Sequence, residues 1–256
     1  MTMLTISPIP AFSDNYIWLV QSGKSAVVVD PGEPEPVLRA LSERQVDLTD
    51  ILITHHHHDH TGAVSRLKDE TGCILWGPSG SPAGPFDYML AEGDTVEVLG
   101  TTFDVLAVPG HTLDHIAYFS EFEKALFCGD TLFVGGCGRV FEGTAPQMRA
   151  SLKKLAQLPS DTRAFCAHEY TLANLRFALQ VEPGNQMLRE KLRACEDKRR
   201  DNIPTVPSLI GEEIGYNPFL RWDSDAIRHT LLKQERLLED TEDGVFAAVR
   251  EWKNTA

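Results

Sequence analysis

The chain has 256 residues, enough for one large domain, or a domain with a smaller companion, around a real core. Its apolar content of 42% is ordinary for a globular protein, and no apolar run approaches the roughly 20 residues needed to span a bilayer. A formal net charge of -13 argues against general nucleic-acid binding, which depends on neutralising phosphates. The start, Met1 to Pro10, lacks a basic segment followed by an apolar block, so no secretory signal is expected. Five scattered cysteines (Cys73, Cys128, Cys137, Cys166, Cys195), none in a CxxC pair, read as reduced thiols of a cytoplasmic protein.

Along the first two-thirds, short β-branched runs alternate with helical patterns. Strands are expected over 4–9, 16–20, 25–30, 51–54, 74–76, 95–98, 103–107, 115–119, 125–128 and 163–166. Helices are expected over 36–44, 62–70 and 145–158, the last with Thr144 as N-cap and Pro146 in its first turn. From about Thr171 the texture turns helical: 171–181, 187–200 and 224–239 read as helices around a Pro- and Gly-rich loop at 203–218. A boundary near residue 170 divides a mixed strand-and-helix part, 1–170, from a helical part, 171–256.

Of nine histidines, eight fall in three places, each following or bordering an expected strand. Ile51–Thr54 runs into His55-His56-His57-His58-Asp59-His60, Val105–Val108 into Pro109-Gly110-His111, Leu126–Cys128 into Gly129-Asp130, and Phe165–Ala167 into His168. Loops at strand ends are where a scaffold presents reactive groups. Residues two apart in extended chain point the same way, so His55 and His57 can grip one metal. Asp59 and His60, where the chain enters a helix, can face a second. Seven candidate donors (His55, His57, Asp59, His60, His111, Asp130, His168) exceed a closed four-coordinate site and fit two metals sharing Asp130. Imidazole and carboxylate suit Zn, Fe or Mn, with Zn the expected ion. A closed structural zinc site and an internal histidine tag are the competing readings. His56, His58 and His115 are read as non-ligands, and His229 as a surface residue.

Thr54-His55-His56-His57-His58-Asp59-His60 matches the THxHxDH signature of the metallo-β-lactamase superfamily, and Pro109-Gly110-His111-Thr112, Gly129-Asp130-Thr131 and Ala167-His168-Glu169-Tyr170 supply its other motifs in order. Within it the chain resembles the glyoxalase II, or hydroxyacylglutathione hydrolase, family over nearly its full length. Ile9–Tyr16, Phe133–Arg139, Phe141–Thr144, Pro204–Ser208 and Asn217–Arg221 carry that likeness. The resemblance implies an α/β fold, an αββα sandwich with a small C-terminal all-helical domain that binds glutathione. It implies that His55, His57 and His111 hold a first ion, Asp59, His60 and His168 a second, and that Asp130 bridges. Cleavage of S-D-lactoylglutathione and related S-2-hydroxyacylglutathiones by a bridging hydroxide, the second step of methylglyoxal detoxification, would follow, with Asp59 and Asp130 as catalytic carboxylates. Arg139, Phe141, Tyr170 and Arg221 are the implied substrate contacts. Asp114 stands where the family has Gly, and no basic partner follows Arg221 directly, Arg228 being the nearest candidate. The expected partner is a small-molecule thioester, with no nucleic acid or membrane, and the expected state a monomer. Another hydrolase of the same fold, or a persulfide dioxygenase with one iron, is the alternative.

Overall fold

The computed structural model describes residues 4–256, so the first three positions of the segment read for a leader lie outside the described residues. Two compact units are distinguished, and the first comprises the chain up to Ala107 with Asp114–Gly129. In it β1 (Thr5–Ala11), β2 (Asn15–Ser22) and β3 (Ser25–Val29) form an antiparallel meander. Helix α1 (Pro34–Arg44) returns the chain to β4 (Asp47–Leu52), parallel to β3. The short α2 (His58–Thr61) and α3 (Val64–Thr71) lead to β5 (Ile74–Pro78), and β6 (Tyr88–Leu90) completes the parallel edge. A second, antiparallel meander follows, of β7 (Thr95–Val98), β8 (Thr101–Ala107), β9 (Ile116–Ser120) and β10 (Ala125–Gly129).

Burial explains the layering. Ile17, Leu19, Val28 and Ile51 on one face of the first sheet pack with Val37 and Leu41 of α1 and Leu67 of α3. Trp18, Val20, Val27, Val29 and Leu52, on the opposite face, are buried too. The second meander is covered on one side only at β7 and β8: Val96, Val98, Phe103 and Val105 are buried, while Thr95, Glu97, Thr102 and Asp104 between them are exposed. Tyr118 of β9 is fully buried, and its hydroxyl donates to the Ile53 carbonyl at 2.7 Å, tying this meander to the end of β4. Each large apolar side chain so covered contributes about 1.5–3 kcal/mol.

The second unit comprises Val108–Leu113 and Asp130–Ala256. It holds the hairpin of β11 (Leu132–Phe133) and β12 (Gly136–Cys137), then α4 (Ala145–Ala156) and β13 (Arg163–Cys166). Next come α5 (Thr171–Val181), α6 (Gln186–Arg200), β14 (Ser208–Leu209) antiparallel to β13, α7 (Ile210–Tyr216), α8 (Asp225–Lys233) and α9 (Glu242–Thr255). Leu175 and Ala178 of α5 pack with Leu188 and Cys195 of α6 and Tyr216 of α7. Phe177, Phe219, Phe246 and Trp252 form a second cluster, of rings. The β11–β12 hairpin is fastened from α7. Buried Glu213 accepts hydrogen bonds from the Gly135 amide and Asn217 Nδ2, both at 2.9 Å, and from the Tyr216 hydroxyl at 2.6 Å.

Ten strands fall where the sequence places them, within a few residues at the ends. The short strands β6, β11, β12 and β14 carry too few residues to show a period, and they pair because their neighbours hold them. The expected helix at 62–70 starts at Val64, with α2 as a separate turn before it. That expected at 224–239 stops at Lys233, because Glu235 enters the left-handed region with φ of 53° and ends the helical ladder. Helices α7 and α9 lie where no helix is expected. Thr241 caps α9 by accepting the Gly244 amide, and Val245, Phe246, Val249 and Trp252 form its buried stripe. At α4 the cap is as expected: Thr144 Oγ1 accepts the Gln147 amide at 3.3 Å and Gln147 Oε1 accepts the Thr144 amide at 2.9 Å. Thr144→Ala is therefore expected to lower stability by about 1 kcal/mol in urea unfolding; an unchanged midpoint would show that the cap contributes nothing.

Candidate metal centre

In the first unit β4 continues through Ile53 and Thr54 into the histidine run. His55 is fully buried, and its Nε2 lies 3.1 Å from Nδ1 of His57. His115 stacks on the His55 ring, centroids 4.6 Å apart at 14°, with its own Nδ1 on the Ile116 carbonyl at 3.0 Å. His60, on α2, is 1% exposed, and its Nε2 stands 3.6 Å from Asp59 Oδ2. Asn15 Nδ2 donates to that same oxygen at 3.0 Å. His56 turns to Asp114, Nδ1 to Oδ1 at 2.9 Å, so the aspartate that replaces Gly anchors the histidine loop. His58 is exposed and lines, with Ser65, Lys68 and Phe86, a cleft of about 510 Å³.

The loop approaches the chain after β3 very closely. A Cβ at Gly32 would sit 2.0 Å from the Asp59 carbonyl oxygen, so no side chain fits there.

In the second unit the donors converge on one oxygen. Asp130 Oδ2 lies 3.4 Å from Nε2 of His111 and 3.4 Å from Nε2 of His168. His111 Nδ1 donates to the Arg139 carbonyl at 2.7 Å, which leaves its Nε2 bare towards Asp130. The Asp130–Gly138 approach is as close as that at Gly32: a Cβ on Gly138 would meet the Asp130 carbonyl oxygen at 1.9 Å. Tyr170 stacks on His168, centroids 4.6 Å apart at 6°, and Phe133 meets both rings edge-on. Phe141 lies edge-on to His111 at 5.3 Å and takes the Arg139 guanidinium over its face at 5.2 Å. Tyr170 and Phe141 are 38% and 59% exposed beside buried imidazoles, so each presents an aromatic face to solvent.

Donor chemistry and spacing fit divalent metal. An ion held about 2.1 Å from each tetrahedral donor sets donors about 3.4 Å apart. The separations within each unit run from 3.1 to 3.6 Å. All seven candidate donors fall in histidine and aspartate groups able to hold a metal ion. Four of the cysteines offer no competing nucleophile. Burial raises the thiols of Cys73, Cys137 and Cys195, and pushes Cys166 up to about 12, so they stay protonated.

Of the sequence-derived substrate contacts, Arg221 is already engaged. Its Nε and Nη2 meet the two oxygens of buried Glu182 at 3.0 and 2.8 Å. Arg228 pairs with Asp240, and His229 is exposed on α8. Two cations escaped the sequence reading because α9 did. Arg250, 8% exposed, donates from Nη1 to the Cys137 carbonyl at 2.9 Å and lies over the Phe219 ring. Lys253, one turn on, lies over Phe177, and burial together with Arg250 lowers its pKa. Among the described residues neither has an acidic partner. The i,i+3 spacing of Arg250 and Lys253 was the available signal.

Residues 12–168 match the Metallo-beta-lactamase superfamily, and residues 169–256 match the Hydroxyacylglutathione hydrolase C-terminus. A hydroxyacylglutathione hydrolase of Chromohalobacter salexigens is 49% identical over 255 residues, 98% of this chain and 99% of that one. One of Pseudomonas aeruginosa is 49% identical over 257 residues, again 98% and 99%. Among solved structures, ETHE1 from Myxococcus xanthus superposes with a TM-score of 0.66 at 27% identity, covering 99% of each chain.

Glu182 supplies a pH test. Burial would push its carboxyl up, but Arg221, Asn185 and Ser224 outweigh it and hold the group below the ordinary carboxylate range. A depressed folded pKa gives stability that is present above the unfolded value, about 4.3, and is lost as pH falls through the folded one. In metal-free protein Arg221→Ala is expected to cost about 2 kcal/mol at pH 7, discounted from a fully buried pair because Arg221 is 28% exposed. The deficit should shrink in urea unfolding below the carboxylate range; a deficit independent of pH would remove the ion pair as its cause.

Proposed function

The chain belongs to the hydroxyacylglutathione hydrolase family of the metallo-β-lactamase superfamily, and on that footing we propose that it hydrolyses S-D-lactoylglutathione and related S-2-hydroxyacylglutathiones to glutathione and a 2-hydroxy acid. His55, His57 and His111 would hold one divalent ion and Asp59, His60 and His168 a second, Asp130 would serve both, and zinc is the ion expected. The observation that most supports two ions is the single Asp130 oxygen equidistant, at 3.4 Å, from His111 and His168. Two such ions, when bound, acidify water to a pKa near 7 and polarise a carbonyl.

The protein's own groups do the rest. Asn15 pins Asp59 Oδ2 at 3.0 Å, so Asp59 is held to orient the attacking water towards the thioester carbon. Phe133, Tyr170 and Phe141 cover the ligand imidazoles and keep bulk water from them. The exposed faces of Tyr170 and Phe141, with the Arg139 guanidinium, receive the glutathione peptide. Lys253 and Arg250 receive its glycine carboxylate, since Arg221 is committed to Glu182. The helical segment from residue 171 thus supplies the cations for the glycine carboxylate, and the preceding segment all seven donors and the contacts to the rest of the peptide. The molecule acts as a monomer in the cytoplasm. No helix among the described residues is long and apolar enough to cross a membrane.

S-D-lactoylglutathione hydrolysis by metal-analysed protein tests the activity. Turnover is expected with close to two ions per chain, to disappear with a chelator and to return with Zn. Asp130→Ala should weaken both ions and remove nearly all turnover, with His229→Ala unchanged; full activity at one ion per chain would contradict the two-ion assignment.

A second test separates binding from chemistry. A hydrogen bond to a charged group is worth about 1.5–3 kcal/mol, so Lys253→Ala should raise KM roughly 10–150-fold and leave kcat nearly unchanged. A thioester lacking the glycine carboxylate should be cleaved equally by both proteins. Equal losses on both substrates would assign Lys253 to the fold instead.

A further inference from the structure

The loop joining β1 to β2 is three residues long, Phe12, Ser13 and Asp14, between the paired Ala11 and Asn15. In the common three-residue hairpin loop the left-handed residue comes last and is usually glycine. Here it comes first and is a phenylalanine. Phe12 has φ of 48°, a backbone that a bulky residue adopts only when its surroundings impose it. Glu33, beyond the end of β3, imposes it: its Oε2 accepts the Phe12 amide at 2.5 Å. The ring is left 50% exposed.

This loop borders the carboxylate that orients the attacking water. At one end Asn15 donates to Asp59 Oδ2 at 3.0 Å. At the other, Phe12 meets the backbone of the same residue. A Cβ on Gly32 would stand 2.0 Å from the Asp59 carbonyl oxygen and 2.6 Å from Phe12 Cε2, so the ring edge and that carbonyl share one face of Gly32. The bare α-carbon of Gly32 gives the ring its seat. One edge of the ring is therefore fixed on backbone, while half its surface stays in water beside Asp59. An aromatic face so placed gains when an apolar group of a ligand covers it.

Reach decides which part of the substrate that is. Attack needs the thioester carbon within about 3–3.5 Å of the water, so the groups attached to that carbon come within a side chain's length of Asp59. The peptide contacts given above, Arg139, Phe141, Tyr170, Arg250 and Lys253, all belong to the second unit, which leaves the exposed ring of the first unit to the acyl end. We propose that Phe12 is a specificity-determining residue whose exposed face receives the substituent on the hydroxyl-bearing carbon of the acyl group. The proposal rests on the hydrolase reading and adds a preference to it: among 2-hydroxyacyl groups, those with larger apolar or aromatic substituents gain more from the ring.

The test compares kcat/KM for S-glycoloylglutathione, S-D-lactoylglutathione and S-D-mandeloylglutathione, whose substituents are hydrogen, methyl and phenyl, using the full chain loaded with zinc. Phe12→Gly removes the ring and suits the left-handed backbone. It is expected to lose about 10-fold on the mandeloyl substrate, about twofold on the lactoyl substrate and least on the glycoloyl substrate, at the zinc content of wild type. Phe12→Tyr keeps the ring and should keep the wild-type ratios. Phe12→Asn also tolerates this backbone and carries no ring, so it should repeat the order of losses if Phe12→Gly does not fold. Equal losses on all three substrates overturn the proposal, because the ring would then only support the loop that holds Asp59. A ratio that moves towards the mandeloyl substrate overturns it too, since the ring would then obstruct the acyl group instead of receiving it. Wild type that cleaves all three thioesters, with ratios unmoved in the variants, sinks the proposal alone. Wild type that cleaves none of them when loaded with zinc sinks the hydrolase reading, and the proposal with it.

Discussion

Carboxylates taken out of water cost several kcal/mol each unless hydrogens or cations surround them, and this protein keeps two of them, Asp30 and Asp130, almost fully buried at strand ends. Asp30 meets that cost with the Thr54 amide and the Thr54 hydroxyl, and His60 Nδ1 lies 3.1 Å from it. Asp130 faces the Nε2 atoms of two histidines, one of which has turned its hydrogen away to the Arg139 carbonyl. Two imidazole nitrogens around a carboxylate oxygen, one of them bare, are an arrangement that a divalent cation stabilises. The rest of the site can be understood as what holds these two carboxylates still.

Much of that holding is done by backbone at very close range. Gly32 lets the chain after β3 lie against the Asp59 carbonyl, and Gly138 does the same at Asp130. In the second unit the hairpin that leads to Gly138 is gripped from the helices, by Glu213 on Gly135, Asn174 on the Val134 carbonyl and Arg250 on the Cys137 carbonyl. The Arg139 carbonyl at the end of this segment orients His111. The C-terminal helices therefore fix the segment behind His111. Shifts of a few tenths of an ångström matter here because ligand geometry tolerates little more.

The cations of the helical segment divide into two kinds by what they touch. Arg221 is joined in a bidentate pair to Glu182, with Ser224 and Asn185 completing the carboxylate's partners, and that network closes the packing of α5 against the turn before α8. Arg250 and Lys253 sit on aromatic rings and form no ion pair among the described residues, so their charges favour an anionic ligand. An arginine in a family-like position need not perform the family-like task when a buried glutamate reaches it first.

The sequence by itself determined the chemistry-bearing positions. Histidines and aspartates at strand ends form a local pattern, since a strand's direction fixes where its last residues emerge, and His55, His57, Asp59, His60, His111, Asp130 and His168 could be named from it. Long strands and helices with a clear period were legible for the same reason. Tertiary structure alone decided what each side chain meets. Glu182 lies 39 residues from Arg221 and Asp30 lies 24 from Thr54, and no period or motif links such pairs. Helix α9 went unread because its buried stripe matters only against the rings of Phe177 and Phe219, and with it went Arg250 and Lys253. Residue types are local properties of the chain, whereas partners are chosen by packing, which brings distant segments together and gives one carboxylate to an arginine and another to a histidine.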